Sequence, residues 1–301
     1  MVLGTKKTLI FILKLLVSAG SLYIIFSKTD IGEMAFMMRK IGLFYFLLAS
    51  FIYILSLLVS TARWKLLLPG EFTFKRLFSL YLIGSFFSSF LPGVIGGDVV
   101  KAYYLNKDAK KLSLTLASIF MDRYLGYVSL MVIGIAAFPF ALRFFGGTVY
   151  RWVMPAIFVS FVIASFLFFG LKIGKRFKTV SEFYDYFVLL GQKKDVMTKA
   201  VLLSFLIQFM GFMAVAILAS AMGENIPVML LFVILPIVIT ITSLPISISG
   251  LGVREGSFVI LLGLIGVRPE VATSLSLSWF FSIFTGSLPG LAAYIRHTGR
   301  K

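Results

Sequence analysis

The chain has 301 residues, of which 59% are apolar and only 14% charged, with a formal net charge of +17 and a mean hydropathy of +1.01. An ordinary soluble domain carries about 25% charged residues, so a soluble globular enzyme, a disordered chain and a secreted disulfide scaffold are excluded. What remains is an all-α polytopic membrane protein.

The basic excess does not point to nucleic acid. Lys and Arg fall in short clusters between apolar runs, which is how a membrane protein marks its cytoplasmic side and meets anionic lipid. There is no Cys, and His297 is the only histidine. Thiol chemistry, a histidine triad within the membrane and histidine-rich metal sites are therefore excluded by count, and no cofactor is expected.

A bilayer crossing takes about 20 apolar residues. Leu9–Phe26 is the first such run. It follows Lys6 and Lys7 as a signal peptide would, but its length and the lack of a clean A-x-A site predict an uncleaved span. Lys14 lies close enough to the interface to snorkel. Five more full spans are predicted at Ile41–Ser60, Leu112–Phe138, Trp152–Leu171, Ala200–Met222 and Val271–Ile295.

Two other apolar stretches are interrupted. Leu77–Leu105 is broken by LPGVIGGDVVK, and Val228–Ile265 by SLPISISGLGVREG. Each half is too short or marginal for a full crossing, which predicts two re-entrant, broken-helix hairpins. The repeat units fall around 77–111 and 228–267 of a single transmembrane domain covering 1–301. The segment 172–199 mixes Lys175, Arg176 and Lys178 with Phe177, Phe183, Tyr184 and Phe187. It reads as an amphipathic stretch on the inner membrane face, or as a plain solvated loop.

With the N-terminus inside, this layout puts twenty basic residues on the cytoplasmic side, Arg63 and Lys101 among them. Seven, including Arg254, fall outside, and Lys14 and Arg123 lie within spans. The bias predicts a multi-pass protein of the cell membrane with both termini cytoplasmic. The first hairpin then enters from the cytoplasm and the second from outside. That is an inverted repeat with a binding site near the midplane.

Irregular backbone is tolerated at membrane depth only where protein or a water-filled cavity covers it. Pro92, Gly93, Gly96 and Gly97 in the first break, and Pro245, Gly250 and Gly252 in the second, are accordingly expected to line a cavity or to form ordinary capped loops. Asp98 is placed to cap the half-helix that follows its glycines. Asp122 and Arg123 stand inside an apolar run, where each costs about 2.5–3.5 kcal/mol on insertion scales. Neighbours on a helix point about 100° apart, so the two should pair with other helices. Asp98 or Glu255 suits Arg123; Arg63 or Arg254 suits Asp122. These are structural ion pairs, or else Arg63, Arg123 and Arg254 present guanidinium groups to a phosphate.

At these residues the chain resembles a known family. Arg63-Trp64, SFFSSFLPGVIGGDVVKAYYL from Ser85 to Leu105, SIFMDRYLG from Ser118 to Gly126, LPISISGLGVREG from Leu244 to Gly256, and Leu288-Pro289-Gly290 carry the likeness. It is to the lysylphosphatidylglycerol synthase transmembrane-region family, also described as flippase-like domain proteins, and it covers nearly the whole chain. The resemblance implies a helical bundle with re-entrant hairpins. Members that make the aminoacylated lipid carry a large soluble transferase domain after the membrane part. The 301 residues leave no room for one, so the translocation half alone is implied. Family members are associated with moving phospholipids or polyprenyl-linked glycans.

The function expected is a lipid translocator for an anionic phospholipid or polyprenyl-phosphate-linked lipid. Arg63, Asp98, Lys101, Asp122, Arg123, Arg254 and Glu255 would form its substrate site, with Asp98 and Glu255 holding the arginines when the cavity is empty. No nucleophile–base set or Walker P-loop is visible, so neither catalysis nor ATP-driven transport within this chain is expected. The alternatives are an integral-membrane enzyme acting on lipid-linked substrates, and a scaffold that recruits a partner glycosyltransferase or lipid synthase through 172–199. Membrane lipids are the expected partners and nucleic acid is not.

Overall fold

The computed structural model describes residues 2–89, 96–109, 112–172 and 178–298, and among these every regular element is a helix. The first half holds α1 (Val2–Ser27), α2 (Ile31–Leu67), α3 (Phe74–Ser88), α4 (Gly96–Ala109) and α5 (Leu112–Phe145). Next come α6 (Val153–Ser165), α7 (Lys178–Gln192) and α8 (Lys194–Ala221). The chain closes with α9 (Val228–Ser243), α10 (Val253–Gly263), α11 (Pro269–Ser287) and α12 (Pro289–Thr298).

Five apolar helical runs are long enough to cross a bilayer: α2, α5, Val149–Gly170 around α6, α8, and Pro269–His297 across α11 and α12. The sixth predicted span falls in α1, whose apolar part, Ile12–Ser27, is shorter. Both interrupted stretches are helix–break–helix units, α3/α4 and α9/α10, and the two arms of each pack together.

Local chemistry accounts for the element ends. Asp30 caps α2 by accepting from the Gly32 and Glu33 amides at 2.7 and 3.1 Å. Gly42, at φ 69°, then kinks α2 at the foot of the predicted span. Pro269 starts α11 where its missing N–H costs nothing, and Pro289 restarts the chain as α12 after a turn at Leu288.

The largest core is built by α5, α8, α9, α10 and α11 around Phe212, Leu231, Ile234 and Phe258. A second forms where Trp64 of α2 meets Leu77, Leu80 and Ile83 of α3 and Leu105 of α4. Leu43, Phe44, Val159, Phe166 and Leu202 face outward. In water that would be costly; against lipid chains it costs nothing.

The α3–α4 crossing is held close by glycine. A Cβ on Gly97 would run into the Gly84 carbonyl, and one on Gly84 would lie 2.9 Å from the Gly97 carbonyl. Gly97→Leu is therefore expected to push the arms apart and cost about 1–3 kcal/mol, as overpacking does. The check is thermal unfolding in detergent. Gly256→Ala, where an added Cβ meets nothing within 4 Å, should leave the transition unmoved.

Two sequence expectations need correction. The solvated-loop reading of 172–199 fails in its described part. α7 buries Tyr184, Tyr186, Phe187 and Leu190 against α5 and α8, and Tyr186 donates to the Leu67 carbonyl. Its aromatic face is thus spent on the protein itself, while Val188 and Leu189 stay exposed. Second, Arg63, Lys101 and Arg254 are buried within helices instead of lying in loops, because each has a carboxylate partner there. Removing them from the count leaves the sign of the basic bias unchanged. Pro92 and Gly93, expected to line the cavity, lie outside the described residues.

Candidate functional site

The polar groups of the bundle come from helix faces. Along α2, Tyr53, Ser56, Ser60 and Arg63 recur at spacings of three and four, one side of a helix. Tyr81, Ser85 and Ser88 do the same on α3, and Asp122 with Gly126 on α5. These faces turn toward one partly open cavity of about 400 Å³, completed by α4, α8, α9 and α11.

Two ionic clusters stand in its wall. In the first, Asp122 is fully buried. Its Oδ1 accepts from Arg63 Nε at 2.8 Å and its Oδ2 from the Tyr81 hydroxyl at 2.6 Å. Arg63 Nη1 also donates to Ser204 Oγ at 2.8 Å. Four helices, α2, α3, α5 and α8, are thereby tied at one carboxylate and its arginine. Both oxygens of Asp122 are engaged, so this cluster is a brace.

The second cluster is built differently. Asp98, in the first turn of α4, accepts from Arg123 Nε at 2.7 Å through Oδ2. Lys101, three residues on, brings Nζ to 2.9 Å from Oδ1. That contact is a close ion pair between two buried side chains. The Lys101 ammonium also lies 4.0 Å from the centre of the Tyr81 ring, a cation–π contact. Arg123 keeps 41% of its side chain accessible, although its carboxylate partner is 9% exposed. One carboxylate is thus shared by two cations, one of which reaches into the open space. Tyr81 joins the clusters, with its hydroxyl on Asp122 and its ring beneath Lys101.

Arg63, Asp98, Lys101, Asp122 and Arg123 are brought together as the sequence suggested, with Arg63 on Asp122 and Asp98 on Arg123. Arg254 and Glu255 are not. They pair with each other, Nη2 to Oε1 at 2.6 Å, and share Ser276, whose hydroxyl donates to Glu255 at 3.0 Å. Glu255 Oε2 also accepts from the Gly252 amide at 2.6 Å, so the acid caps its own helix, α10. Neither residue lines the cavity. The expectation that Asp98 and Glu255 share one chamber is corrected accordingly: a helix start satisfied Glu255 locally.

The glycines divide in the same way. Gly96 begins α4 and Gly97 sets its closeness to α3, next to the cavity. Gly250 and Gly252, at φ 77° and 81°, shape the second break. Gly250 packs on Thr242, and Gly252 on Ser18 and Ser21 of α1, where a side chain would collide. Pro245 is exposed. The second break nevertheless reaches the end of α3, where Ser249 Oγ donates to the Ser88 and Ser89 carbonyls at 3.4 Å.

The residues missed at the sequence level are Tyr53, Ser56, Ser60, Tyr81 and Gln208, all cavity-lining. Their signal was present as the polar stripe on α2 and the Tyr81–Ser85–Ser88 face on α3.

A bundle of membrane-length helices enclosing a polar, charged cavity defines the class: a multi-pass helical membrane protein. The sequence pattern of the lysylphosphatidylglycerol synthase TM region matches residues 11–290, and the chain belongs to that family. It is similar to a UPF0104 membrane protein of Methanothermobacter thermautotrophicus, 24% identical over 87% of this chain and 88% of that one. A UPF0104 membrane protein of Methanocaldococcus jannaschii is 21% identical over 83% of each chain. One of Pyrococcus horikoshii is 20% identical over 80% of this chain and 83% of its own. No solved structure matches the chain.

Proposed function

We propose that the protein is a lipid translocator and not an enzyme. The head of an anionic phospholipid or polyprenyl-phosphate-linked lipid enters the cavity while its chains stay in the bilayer. The observation that carries this reading is the second cluster, where Arg123 and Lys101 share the single carboxylate of Asp98 beside an open space of about 400 Å³. Arginine suits phosphate because its planar fork matches two oxygens at once. The contact of Ser249 with the end of α3 supports a common movement of α3/α4 and α9/α10. Such a movement fits an inverted pair of hairpins entering from opposite faces of the cell membrane, with both termini cytoplasmic.

The scaffold alternative loses support because the aromatic face of α7 is spent on the protein's own core. The enzyme alternative is separated by product, since lipids incubated with pure protein should show no new species by mass spectrometry. In proteoliposomes, the protein should speed the exchange of a labelled phosphatidylglycerol between leaflets. A rate equal to that of empty vesicles would remove the proposal.

A further inference from the structure

We infer that the outward face of α7, with the lysines where it joins α8, is a docking site for the anionic headgroups of the surrounding leaflet. The site lies outside the polar cavity and is independent of what that cavity carries.

The depth of α7 follows from the span ends that hold it. Tyr184 donates its hydroxyl to the Phe168 carbonyl at 2.8 Å, in the last turn of the Val149–Gly170 span. Tyr186 donates to the carbonyl of Leu67, the last residue of α2. Only Lys193 separates α7 from α8, the next span. Three membrane-length helical runs thus meet α7 at their ends, which puts it at the boundary between hydrocarbon and water.

The bundle uses one side of α7, through Tyr184, Phe187 and Leu190. The opposite side presents Asp185, Val188, Leu189 and Gln192, spaced as one helical face. Val188 is 53% and Leu189 61% exposed, two branched apolar side chains next to each other. Toward water this pair gains nothing. At the headgroup boundary it is buried among the upper acyl carbons.

The charges beside the pair are cationic and unused. Lys193 and Lys194 follow it within five residues, and Lys199 is exposed on α8. Lys199 shares its side of α8 with Leu202, three residues on and facing outward, so its ammonium sits where a lipid-facing surface begins. Among the described residues none of the three lysines is in an ion pair, in contrast to Arg63 and Lys101. Asp195 is the nearest acid in the chain, which leaves a local surplus of two positive charges. Asp185 stands eight residues before Lys193. That is about 12 Å along the helix, beyond a Debye length in physiological salt. An apolar pair bracketed by unpaired lysines at headgroup depth matches a negatively charged membrane surface. In the orientation proposed above this is the cytoplasmic leaflet, where anionic lipid is concentrated.

The test uses the absence of cysteine from the chain. Leu189→Cys gives one thiol for an environment-sensitive fluorophore on the whole chain in nanodiscs. Quenching is compared for phosphatidylglycerol and phosphatidylcholine, each spin-labelled near the top of its acyl chain. Both lipids should quench, because the face touches lipid. Phosphatidylglycerol should be preferred roughly 10- to 30-fold, since a lysine near an anionic surface is worth about fivefold (~1 kcal/mol) and the surplus is two. Adding Lys193→Gln and Lys194→Gln should bring the ratio close to one, with the melting temperature unmoved because neither lysine is in an ion pair. Salt at about 1 M should do the same to the Leu189→Cys protein, because the Debye length falls to ~3 Å.

Equal quenching by the two lipids, or a preference that survives the two Gln substitutions, overturns the inference. So does a dye quenched by aqueous iodide and by neither lipid, which would put the face in water. A dye shielded from lipid and iodide alike would overturn it in favour of a second copy of the chain covering the face. The salt series decides if the triple variant fails to fold. Leaflet exchange is read in none of these arms, so the translocator reading stands or falls apart from them.

Discussion

Arg123→Ala is expected to slow leaflet exchange of phosphatidylglycerol about 10- to 100-fold while the protein stays folded. The factor follows from losing a charged hydrogen-bond donor worth roughly 1.5–3 kcal/mol to an anionic guest, at a decade per ~1.4 kcal/mol. Folding should survive for two structural reasons. Asp98 keeps Lys101 at 2.9 Å, so the carboxylate is not abandoned. The Arg123 side chain is also 41% accessible, so its removal opens a larger cavity rather than a sealed void. The measurement is a proteoliposome rate together with the melting temperature of the same preparation. Arg123→Lys should recover part of the rate, since a point charge remains but the bidentate fork does not. An unchanged rate in Arg123→Ala would remove Arg123 from the site.

Asp122→Ala should do the opposite, damaging the fold first. Arg63 is buried, and Asp122 is its carboxylate. Breaking a buried pair from one side leaves an uncompensated charge, a loss of about 3–5 kcal/mol. The Tyr81 hydroxyl loses its acceptor in the same step. Four helices meet at this point, so the damage should be global, seen as a single transition at much lower temperature or denaturant. The double variant Arg63→Met with Asp122→Ala should recover most of the stability, because no charge is then stranded. Recovery of stability without recovery of exchange would mark the pair as needed by the site as well. Full stability in Asp122→Ala alone would show that Arg63 has another counter-charge.

The second cluster was the more legible of the two. Gly97-Asp98 in an apolar stretch and Arg123 in an apolar span each announce a buried ionisable group, and the opposite signs suggest the pair. Lys101 was placed in the substrate site, yet counted with the cytoplasmic basic residues for orientation. Its place beneath Asp98 comes from the helical spacing of three residues within α4. Arg254 and Glu255 misled the reading for a physical reason. An acid at the third position of a helix can reach back to the amide that precedes it, and Glu255 does so at 2.6 Å. That local solution competes with any long-range partner and wins when the pair is adjacent in sequence. The Tyr and Ser residues of the cavity were overlooked because single hydroxyls in apolar helices usually bond to their own backbone, as Ser56 does to the Tyr53 carbonyl at 2.7 Å. Only their alignment along one face distinguishes them.

By itself the amino-acid order settled that this chain belongs in a bilayer, where the helices run, where two of them break, and that a handful of ionisable residues had to be buried. Those are consequences of composition and spacing along one dimension: apolar runs of given length must span, and a charge inside one must find cover. Which cation meets which acid was decided only in three dimensions. Arg63 and Asp122 are 59 residues apart, Tyr81 and Asp122 are 41, and Asp98 and Arg123 are 25. Their meeting depends on how closely α3 and α4 cross at Gly84 and Gly97 and on which faces of α2 and α5 turn inward. Packing of whole helices sets those faces, and packing placed the shared carboxylate of Asp98 beside an open cavity while it sealed Glu255 within a helix start.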